Sequence, residues 1–271
     1  MKCLPQPRPE RIESNSHMDL HLKGKKALVT GATRGIGRAI AFGLAAEGCD
    51  VAVCARDGAA VASTVAELKA QDVSAYGEAL DVGDGAALEQ FVERAALRLG
   101  GLDILVCNAS ALAEGSDEEA FRQAFDIDLM HTRNAAETAI PHLRKSGGGA
   151  IIAISSISGS EDYGYSFSAY GAMKAALFFY MKSLARHVAA HGIRANVVSP
   201  GTTFFEGGYW DLVKRDEPER FAENIAGNPL GRMARPEEIA DAVVFLASAR
   251  ASFISGSNLV VDGTLTSRIQ N

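Results

Sequence analysis

Seven short apolar runs, typical of buried strands, alternate along the chain with patterns typical of helices. The strand runs cover residues 26–30, 51–54, 73–79, 103–107, 150–155, 193–198 and 258–262. The helical patterns cover residues 35–47, 57–70, 84–99, 117–145, 168–190 and 236–247. Each crossover between parallel strands places a helix against the sheet, so this alternation favours a parallel sheet with helices on both faces. The sequence therefore predicts a single-domain, doubly wound α/β fold.

A glycine-rich turn joins the first strand run to the first helix. It reads Thr-Gly-Ala-Thr-Arg-Gly-Ile-Gly and contains Gly31, Gly35 and Gly37. Glycine lets the backbone approach a ligand closely, and the free N–H groups and dipole of a helix N-terminus favour an anion. The spacing is one residue wider than the common dinucleotide fingerprint. We interpret the turn as a phosphate cradle; a tight strand–helix turn without a ligand is the alternative.

Tyr170 and Lys174 lie four residues apart in a segment of helical composition, so both side chains share one helix face. A free phenol has a pKa of about 10, and a neighbouring ammonium lowers it toward the pH at which the phenol can exchange a proton. The pair is common by chance, and a solvated lysine beside a half-buried tyrosine has the same spacing. Beside a phosphate cradle, however, the pair indicates acid/base chemistry.

From about Lys23 to Gly263 the chain resembles the compact, single-domain short-chain dehydrogenases/reductases. Five segments besides the glycine-rich turn match the family in order. They are residues 80–82 (the adenine-contacting strand end), 106–110 (the Asn-Asn-Ala-Gly turn), 154–159 (the catalytic serine strand), 198–201 (the nicotinamide-side loop) and 260–263 (the last strand). The resemblance implies a Rossmann-type fold and a dinucleotide-dependent oxidoreductase.

The resemblance also implies catalytic roles. Hydride moves in this family between a nicotinamide and a carbonyl carbon, and Tyr170 would supply or remove the hydroxyl proton. Lys174 would lower the pKa of that phenol and hold the nicotinamide ribose. Tyr163 and Tyr165 are rival acids, but neither has a lysine four residues further on.

Ser156 would hydrogen-bond the substrate oxygen and stabilise its developing charge. The Ser-x-x-Gly pattern distinguishes it from its competitors Ser155 and Ser158. Tyr170 follows Ser156 by 14 residues, one more than in the family pattern. We place the extra residue in the polar loop 160–168, a candidate wall of the substrate site.

Four positions depart from the family pattern. Asp128 replaces the fourth catalytic residue, an asparagine whose backbone carbonyl holds a water bound to the lysine. Either that carbonyl suffices here, or the Asp128 carboxylate also acts on Lys174 through the water. Cys107 and Ser110 replace an asparagine and a glycine near the adenosine ribose, and Phe205 replaces a threonine.

The matching segments imply a set of cofactor-binding residues. They are Gly31, Thr33, Arg34, Gly35, Ile36, Gly37, Arg56, Asp81, Val82, Asn108, Ala109, Ser110, Tyr170, Lys174, Pro200, Gly201 and Thr203, with Thr202 as an alternative to Thr203. Ala55 and Arg56 stand where an NAD-binding fold places a carboxylate. The guanidinium groups of Arg34 and Arg56 suit a 2′-phosphate. We therefore expect NADP rather than NAD, unless Asp57 reaches the ribose or pairs with Arg56.

Phe204, Phe205, Tyr209 and Trp210 crowd the segment 202–228, which the resemblance implies is a lid over the substrate. Aromatic side chains at this density indicate an apolar or ring-containing alcohol or ketone as the small-molecule substrate. A subunit interface or ordinary helix packing is the alternative.

Similar sequences are often called 3-oxoacyl carrier-protein reductases, and an acidic carrier requires basic residues near the entrance. Lys214, Arg215 and Arg220 are present but alternate with acidic residues, which does not favour a carrier protein. Two other classes of protein are open: a dinucleotide-binding regulator without catalysis, and a scaffold. The complete serine–tyrosine–lysine set argues against the regulator, and a scaffold would not bind NADPH, which a fluorescence titration tests.

Composition is consistent with this interpretation. The 271 residues, 47% of them hydrophobic, are enough for one large core, and a net charge of −6 gives no field that would attract nucleic acid. No apolar run reaches the roughly 18 residues that cross a bilayer. Four cysteines without metal-ligand spacing indicate a reducing, cytoplasmic location and no metal site.

The ends of the expected domain follow from composition and resemblance. Residues 1–17 are polar and proline-rich, and we interpret them as a disordered leader or a remnant of cloning. Residues 18–271 would form one dinucleotide-binding domain. The resemblance implies a homotetramer or a homodimer.

Overall fold

A computed structural model describes residues 18–113, 115–162 and 169–269. Its strands are Lys26–Thr30 (β1), Asp50–Ala55 (β2), Ala75–Ala79 (β3), Ile104–Cys107 (β4), Gly149–Ile154 (β5), Ile193–Pro200 (β6) and Asn258–Val261 (β7). All pair in parallel, in the order β3-β2-β1-β4-β5-β6-β7. The chain winds from β1 to one edge, returns beside β1 as β4 and winds to the other edge. The predicted doubly wound, Rossmann-type sheet is confirmed.

The described helices cover both faces of this sheet. They are Gly35–Ala46 (α1), Gly58–Lys69 (α2), Gly85–Leu99 (α3), Glu118–Ala124 (α4), His131–Lys145 (α5), Ala169–Val188 (α6), Tyr209–Asp216 (α7), Pro218–Gly227 (α8) and Pro236–Ala247 (α9). Short 3₁₀ turns lie at Ile157–Gly159, Ala189–His191 and Ala249–Ala251. No helix in this part of the chain is long and apolar enough to cross a membrane.

Side chains of each strand alternate between two hydrophobic layers. On β1, Leu28 belongs to the hydrophobic cluster that contains residues of α3, α5 and α6, whereas Val29 belongs to the cluster that contains residues of α1, α2 and α9. Ile151 and Ile152 of β5 divide in the same way. Both faces are buried because helices cover both, which explains why the strand runs are continuously apolar rather than alternating. The layers hold the carboxyl ends of the strands at one edge, where ligands bind in sheets of this type.

The helix predicted over residues 117–145 is interrupted. A π-helical stretch, Phe125–Met130, lies between α4 and α5 and carries Asp128. Two carbonyls of this stretch are bonded by side chains from the next turn: His131 Nδ1 lies 2.9 Å from the Ile127 oxygen, and Thr132 donates to the Asp128 oxygen at 3.1 Å. A π-helical turn widens the helix locally and is frequent at functional sites.

Other differences concern the second half of the chain. The segment 202–228 contains α7 and α8, which the sequence patterns did not predict as helices. Its role as a lid stays a prediction. Tyr163 and Tyr165, in the predicted loop 160–168, lie outside the described residues, as does the predicted leader 1–17.

Candidate active site

The glycine-rich turn lies at the carboxyl end of β1 and begins α1. Gly31 and Gly35 have φ angles of 63° and 53°, in the left-handed region that favours glycine. A Cβ on Gly37 would lie 2.3 Å from Asn108 Nδ2 and 2.3 Å from the Gly31 oxygen. No side chain of the described residues caps the N-terminus of α1. The turn therefore brings uncapped backbone N–H groups to the edge of the sheet, as an anion site requires.

Thr30, the last residue of β1, joins this turn to the end of β4. Its hydroxyl oxygen accepts hydrogen bonds from the backbone N–H groups of Asn108 and Ala109, at 3.0 and 3.2 Å. Asn108 Nδ2 in turn donates to the carbonyls of Thr30 and Gly31, at 3.0 and 3.1 Å. The Asn108 amide thus positions the glycine-rich turn.

His131 completes the bonding of Thr30 from the opposite side. Its Nδ1 lies on the Ile127 carbonyl, which only accepts, so Nδ1 carries the proton and donates. Its Nε2, 2.9 Å from Thr30 Oγ1, then accepts from that hydroxyl. Burial lowers the pKa of His131 to about 4, so the ring is neutral at neutral pH and able to accept this bond.

Sequence reasoning missed both Thr30 and His131. Thr30 ends a buried strand directly before the first glycine of the turn, which is the signal that could have indicated a structural hydroxyl there. His131 gives no comparable signal, because its partners lie 101 residues away in β1 and one helical turn back.

Lys174 is buried on α6, one helical turn after Tyr170. Its Nζ donates to the Ile154 carbonyl at the end of β5 at 2.9 Å and lies 3.0 Å from Asp128 Oδ1. It also lies 5.4 Å from the centroid of the Tyr170 ring. Burial lowers the pKa of Lys174, but the attraction of Asp128, with a contribution from Tyr170, outweighs it and leaves the pKa raised. Lys174 is therefore a cation held between a carboxylate and a phenol.

The serine turn after β5 packs directly against α6. A Cβ on Gly159 would lie 2.7 Å from the backbone of Lys174, which shows how closely the two segments approach. Ser155 donates its hydroxyl to the Lys174 carbonyl at 2.8 Å and is committed to this contact. Ser156 Oγ accepts from the Ser158 backbone N–H at 3.1 Å and keeps its own proton for another acceptor. The geometry therefore favours Ser156 over Ser155 as the residue that contacts a substrate.

The two arginines expected to bind a 2′-phosphate are Arg56, directly after β2, and Arg34, directly before α1. Arg56 is exposed and has no ion pair or hydrogen bond within the described parts of the chain. Asp57 accepts from the backbone N–H groups of Ala59 and Ala60, so it caps α2 rather than pairing with Arg56. Arg34 is exposed and donates to the Gly207 carbonyl at 3.0 Å. Of the two arginines, Arg56 is thus the one with an uncommitted guanidinium.

The other expected dinucleotide contacts follow the ends of β3 and β4. Asp81 is exposed and accepts from the Gly83 backbone N–H, and Val82 beside it is buried. Ser110 Oγ accepts from the Leu112 backbone N–H. All three residues lie on the edge of the sheet that also carries the glycine-rich turn.

The loop after β6 passes close to the end of β7. A Cβ on Gly201 would lie 2.7 Å from the Asp262 Cα, so glycine is required there. Thr203 donates its hydroxyl to the Gly201 carbonyl at 3.2 Å. Thr202 Oγ1 is buried and has no partner among the described residues. Of the two threonines, Thr202 therefore has the hydroxyl that a polar ligand could satisfy.

Phe205 packs on the glycine-rich turn itself. A Cβ on Gly35 would lie 2.5 Å from Phe205 Cζ, and one on Gly208 would lie 2.7 Å from the same atom. Together with the bond from Arg34 to Gly207, this contact joins the segment after β6 to the glycine-rich turn.

The other aromatic residues of this segment pack mainly among themselves. Phe204 meets Phe221 edge to face at 5.9 Å, and Tyr209 meets Trp210 at 5.6 Å. The cations expected to attract a carrier protein are engaged in the same segment. Arg220 lies over the rings of Tyr209 and Trp210 and pairs with Glu217, Arg215 pairs with Asp216, and Lys214 lies over the rings of Phe204 and Phe221.

Comparisons with known proteins agree with this arrangement. A family model described as enoyl-(acyl carrier protein) reductase matches residues 31–266. An isoepoxydon dehydrogenase of Penicillium expansum is 38% identical over 247 residues, 89% of this chain and 95% of that protein. A 3-oxoacyl-[acyl-carrier-protein] reductase of Escherichia coli is 37% identical over 255 residues, 90% of this chain and 98% of that protein. The crystal structure of L-sorbose reductase from Gluconobacter frateurii, complexed with NADPH and L-sorbose, is 31% identical with a TM-score of 0.86 and covers 93% of this chain and 100% of that chain.

The chain belongs to the short-chain dehydrogenase/reductase family. It is an oxidoreductase of the alcohol dehydrogenase or carbonyl reductase type, built on a fold that binds a nicotinamide dinucleotide. The resemblance expected from the sequence is confirmed at the level of family, fold and reaction class.

Replacing Gly37 with alanine tests the packing of the glycine-rich turn. The new methyl group would overlap Asn108 and the Gly31 carbonyl, so we expect Gly37→Ala to lower the free energy of unfolding by about 1–3 kcal/mol. Dinucleotide affinity, measured by fluorescence titration, should fall with it. Gly58→Ala is the control, because a Cβ there makes only ordinary contact, at 3.5 Å from Ala79. Equal stability of the two variants would contradict this account.

His131 should make the protein sensitive to acid. Its pKa is lowered from 6.5 to about 4 in the folded state, so between these values the unfolded chain binds a proton that the folded chain does not. Its contribution is therefore fully present above pH 6.5 and is lost as pH falls, by up to about 3 kcal/mol. Urea unfolding between pH 7 and 4 should show a shallower decline in His131→Gln than in the wild type. The exposed His187→Gln should keep the wild-type slope; a wild-type slope in both variants would refute the role of His131.

Proposed function

We propose that this protein is an NADP(H)-dependent oxidoreductase that interconverts a secondary alcohol and a ketone, with Tyr170 as the acid/base. The observation that carries the proposal is the position of the Lys174 ammonium, 5.4 Å from the Tyr170 ring centroid and fixed by Ile154 and Asp128. A cation fixed beside a phenol stabilises its ionised form, which an acid/base in this chemistry requires.

The residues present fit a dinucleotide. Gly31 and Gly35 adopt left-handed φ angles at an uncapped helix N-terminus, where phosphate groups bind favourably. The buried hydroxyl of Thr202 has no partner among the described residues and is suited to a carboxamide. Lys174 has three N–H donors; one bonds the Ile154 carbonyl, and Asp128 Oδ1 lies 3.0 Å from Nζ as an ion pair. A donor therefore remains for a ribose hydroxyl.

In the proposed reaction the bound dinucleotide supplies a hydride to the carbonyl carbon or accepts one from the alcohol. Tyr170 donates its proton to the oxygen during reduction and removes it during oxidation. Ser156 donates its hydroxyl proton in a hydrogen bond to the same oxygen and so stabilises the charge that develops there. Lys174 stabilises the phenolate form of Tyr170 that results when its proton is donated.

The choice of NADP over NAD rests on Arg56. Its guanidinium is exposed and uncommitted, and Asp57, the residue that could have reversed the choice, is engaged in capping α2. A guanidinium binds a phosphate strongly through charge-assisted hydrogen bonds. The NADPH in the complex of L-sorbose reductase supports the same choice by similarity.

For the substrate, we propose an apolar or ring-containing alcohol or ketone of low molecular weight. Relatives named for small-molecule substrates include the isoepoxydon dehydrogenase and L-sorbose reductase, the latter crystallised with L-sorbose. The paired cations near α7 and α8 do not support binding of an acidic carrier protein. A screen of alcohols and ketones with both cofactors tests this, and activity confined to carrier-bound substrates would contradict it.

The cytoplasmic location and the homotetramer or homodimer are further parts of this proposal. Light scattering coupled to size-exclusion chromatography measures the assembly directly. A monomer in solution would contradict the expected oligomer without affecting the proposed chemistry.

Tyr170→Phe tests the proton donor. The phenylalanine ring keeps the packing of α6 but has no hydroxyl, so kcat should fall by about 10²-fold or more while NADPH affinity and folding are unchanged. Steady-state kinetics and fluorescence titration measure the two effects. Tyr180→Phe makes the same change on the same helix, away from Lys174, and should keep wild-type kcat. Near-normal turnover of Tyr170→Phe would exclude Tyr170 as the acid/base.

Arg56→Ala tests the cofactor choice. Loss of a charge-assisted contact with the 2′-phosphate should weaken NADPH binding by roughly 1–3 kcal/mol and leave NADH binding nearly unchanged. Arg98→Ala, an exposed arginine on α3, controls for the change in net charge. Equal losses for both cofactors would show that Arg56 does not read the phosphate, and a wild-type preference for NADH would reverse the assignment.

A further inference from the structure

The Asp128 carboxylate contacts Lys174 directly. Asp128 Oδ1 lies 3.0 Å from Lys174 Nζ, and the two side chains are 0% and 2% exposed. The sequence-based hypothesis of an action through a water is therefore wrong about the path, since the ion pair needs no intermediary. At this depth water screens the pair little, so each charge acts strongly on its neighbours.

Lys174 is the counter-charge of Asp128 within the described structure. Both carboxylate oxygens of Asp128 are buried, and neither has a hydrogen-bond partner of normal geometry among the described residues, so the contact with Lys174 at Oδ1 is an ion pair. The other titratable groups that face the pair are Tyr170, on α6, and His131, on α5. His131 is neutral at neutral pH, because burial lowers its pKa to about 4. Near neutral pH, the net charge beside Tyr170 is thus set by the Lys174 ammonium together with the side chain at position 128.

An asparagine at position 128 would change the electrostatic field at the Tyr170 phenol. Its amide oxygen could occupy the place of Oδ1 beside Lys174, but the ammonium would act on the phenol without compensation. The carboxylate offsets part of that positive charge. A phenol beside a compensated ion pair keeps its proton to a higher pH than one beside an isolated ammonium.

We propose that Asp128 is a positioning residue that acts through Lys174: its carboxylate fixes the ammonium and partly neutralises it, so that Tyr170 stays available as a proton donor to higher pH. The inference rests on the proposed function, in which Tyr170 exchanges the proton with the substrate. It identifies the carboxylate, in addition to the backbone carbonyl of residue 128, as part of the machinery.

A purely structural role of Asp128 makes a different prediction. The ion pair joins the π-helical stretch Phe125–Met130 to α6, so its loss could lower stability without any change in the pH at which Tyr170 ionises. The pH at which the phenol ionises separates the two roles, because packing defects do not shift it systematically in one direction.

Asp128→Asn removes the charge at nearly constant shape. The rate of alcohol oxidation with NADP, which needs the ionised phenol, should rise with pH along a limb shifted by about one pH unit to lower pH than in the wild type. Asp126→Asn is the matched control, because it removes the same charge from the same π-helical stretch at an exposed position. Its pH profile should coincide with that of the wild type.

A second measurement does not depend on turnover. Ultraviolet titration of tyrosinate, with the signal of the matching Tyr170→Phe protein subtracted, reports the ionisation of Tyr170 alone. This midpoint should also move to lower pH in Asp128→Asn. If the midpoint shifts but Tyr170→Phe turns over normally, Asp128 does act on the ionisation of Tyr170, and the proposed role of Tyr170 as the acid/base is wrong. Failure of the proposed function can therefore be distinguished from failure of this inference.

Three results would overturn the proposal. One is an unchanged midpoint in Asp128→Asn, and another is a shift to higher pH, which would show that Lys174 loses its proton without the carboxylate. If Asp128→Asn does not fold, Asp128→Ser is titrated in the same way. The third result is the failure of both neutral variants to fold while Asp126→Asn folds normally, which would assign Asp128 a structural role only.

Discussion

The arrangement of the site depends on the hydroxyl of Thr30. Its oxygen accepts hydrogen bonds from two backbone N–H groups of the turn after β4, and its proton is donated to His131 Nε2. It therefore fixes three elements, β1, β4 and α5, at the point where the direction of winding reverses. Because the helix that follows β1 starts within a few residues, the same bonds determine where the glycine-rich turn lies.

The fold could be predicted from the sequence because its signals are local. The seven apolar runs correspond to the seven strands, and the glycine-rich turn needs no partner to be recognised. The pair Tyr170 and Lys174 was equally accessible, since i, i+4 spacing on a helix specifies a common face. The order of the family segments then placed the loops that follow the strands at one edge of the sheet, where the carboxyl ends of the strands lie.

What the sequence did not reveal depends on contacts between distant segments. The ion pair of Asp128 with Lys174 joins residues 46 positions apart and follows from a π-helical turn that no periodicity predicts. The engagement of Asp57 as a helix cap is short-range, yet the sequence left it open because an aspartate after a strand also suits a ribose. In each case a polar group had two plausible partners, and packing selected one.

The contact between the glycine-rich turn and the segment after β6 has a consequence for ligand exchange. Phe205 lies on Gly35, and Arg34 bonds the Gly207 carbonyl, so the two segments share a boundary. A molecule that orders one of them changes the free energy of the other, and such coupling is reciprocal. A ligand that orders the segment after β6 would therefore strengthen the binding of a second ligand at the glycine-rich turn, and the second would strengthen the first by the same coupling free energy. The two affinities would be coupled through Phe205 and Arg34, at a distance from Tyr170 and Lys174.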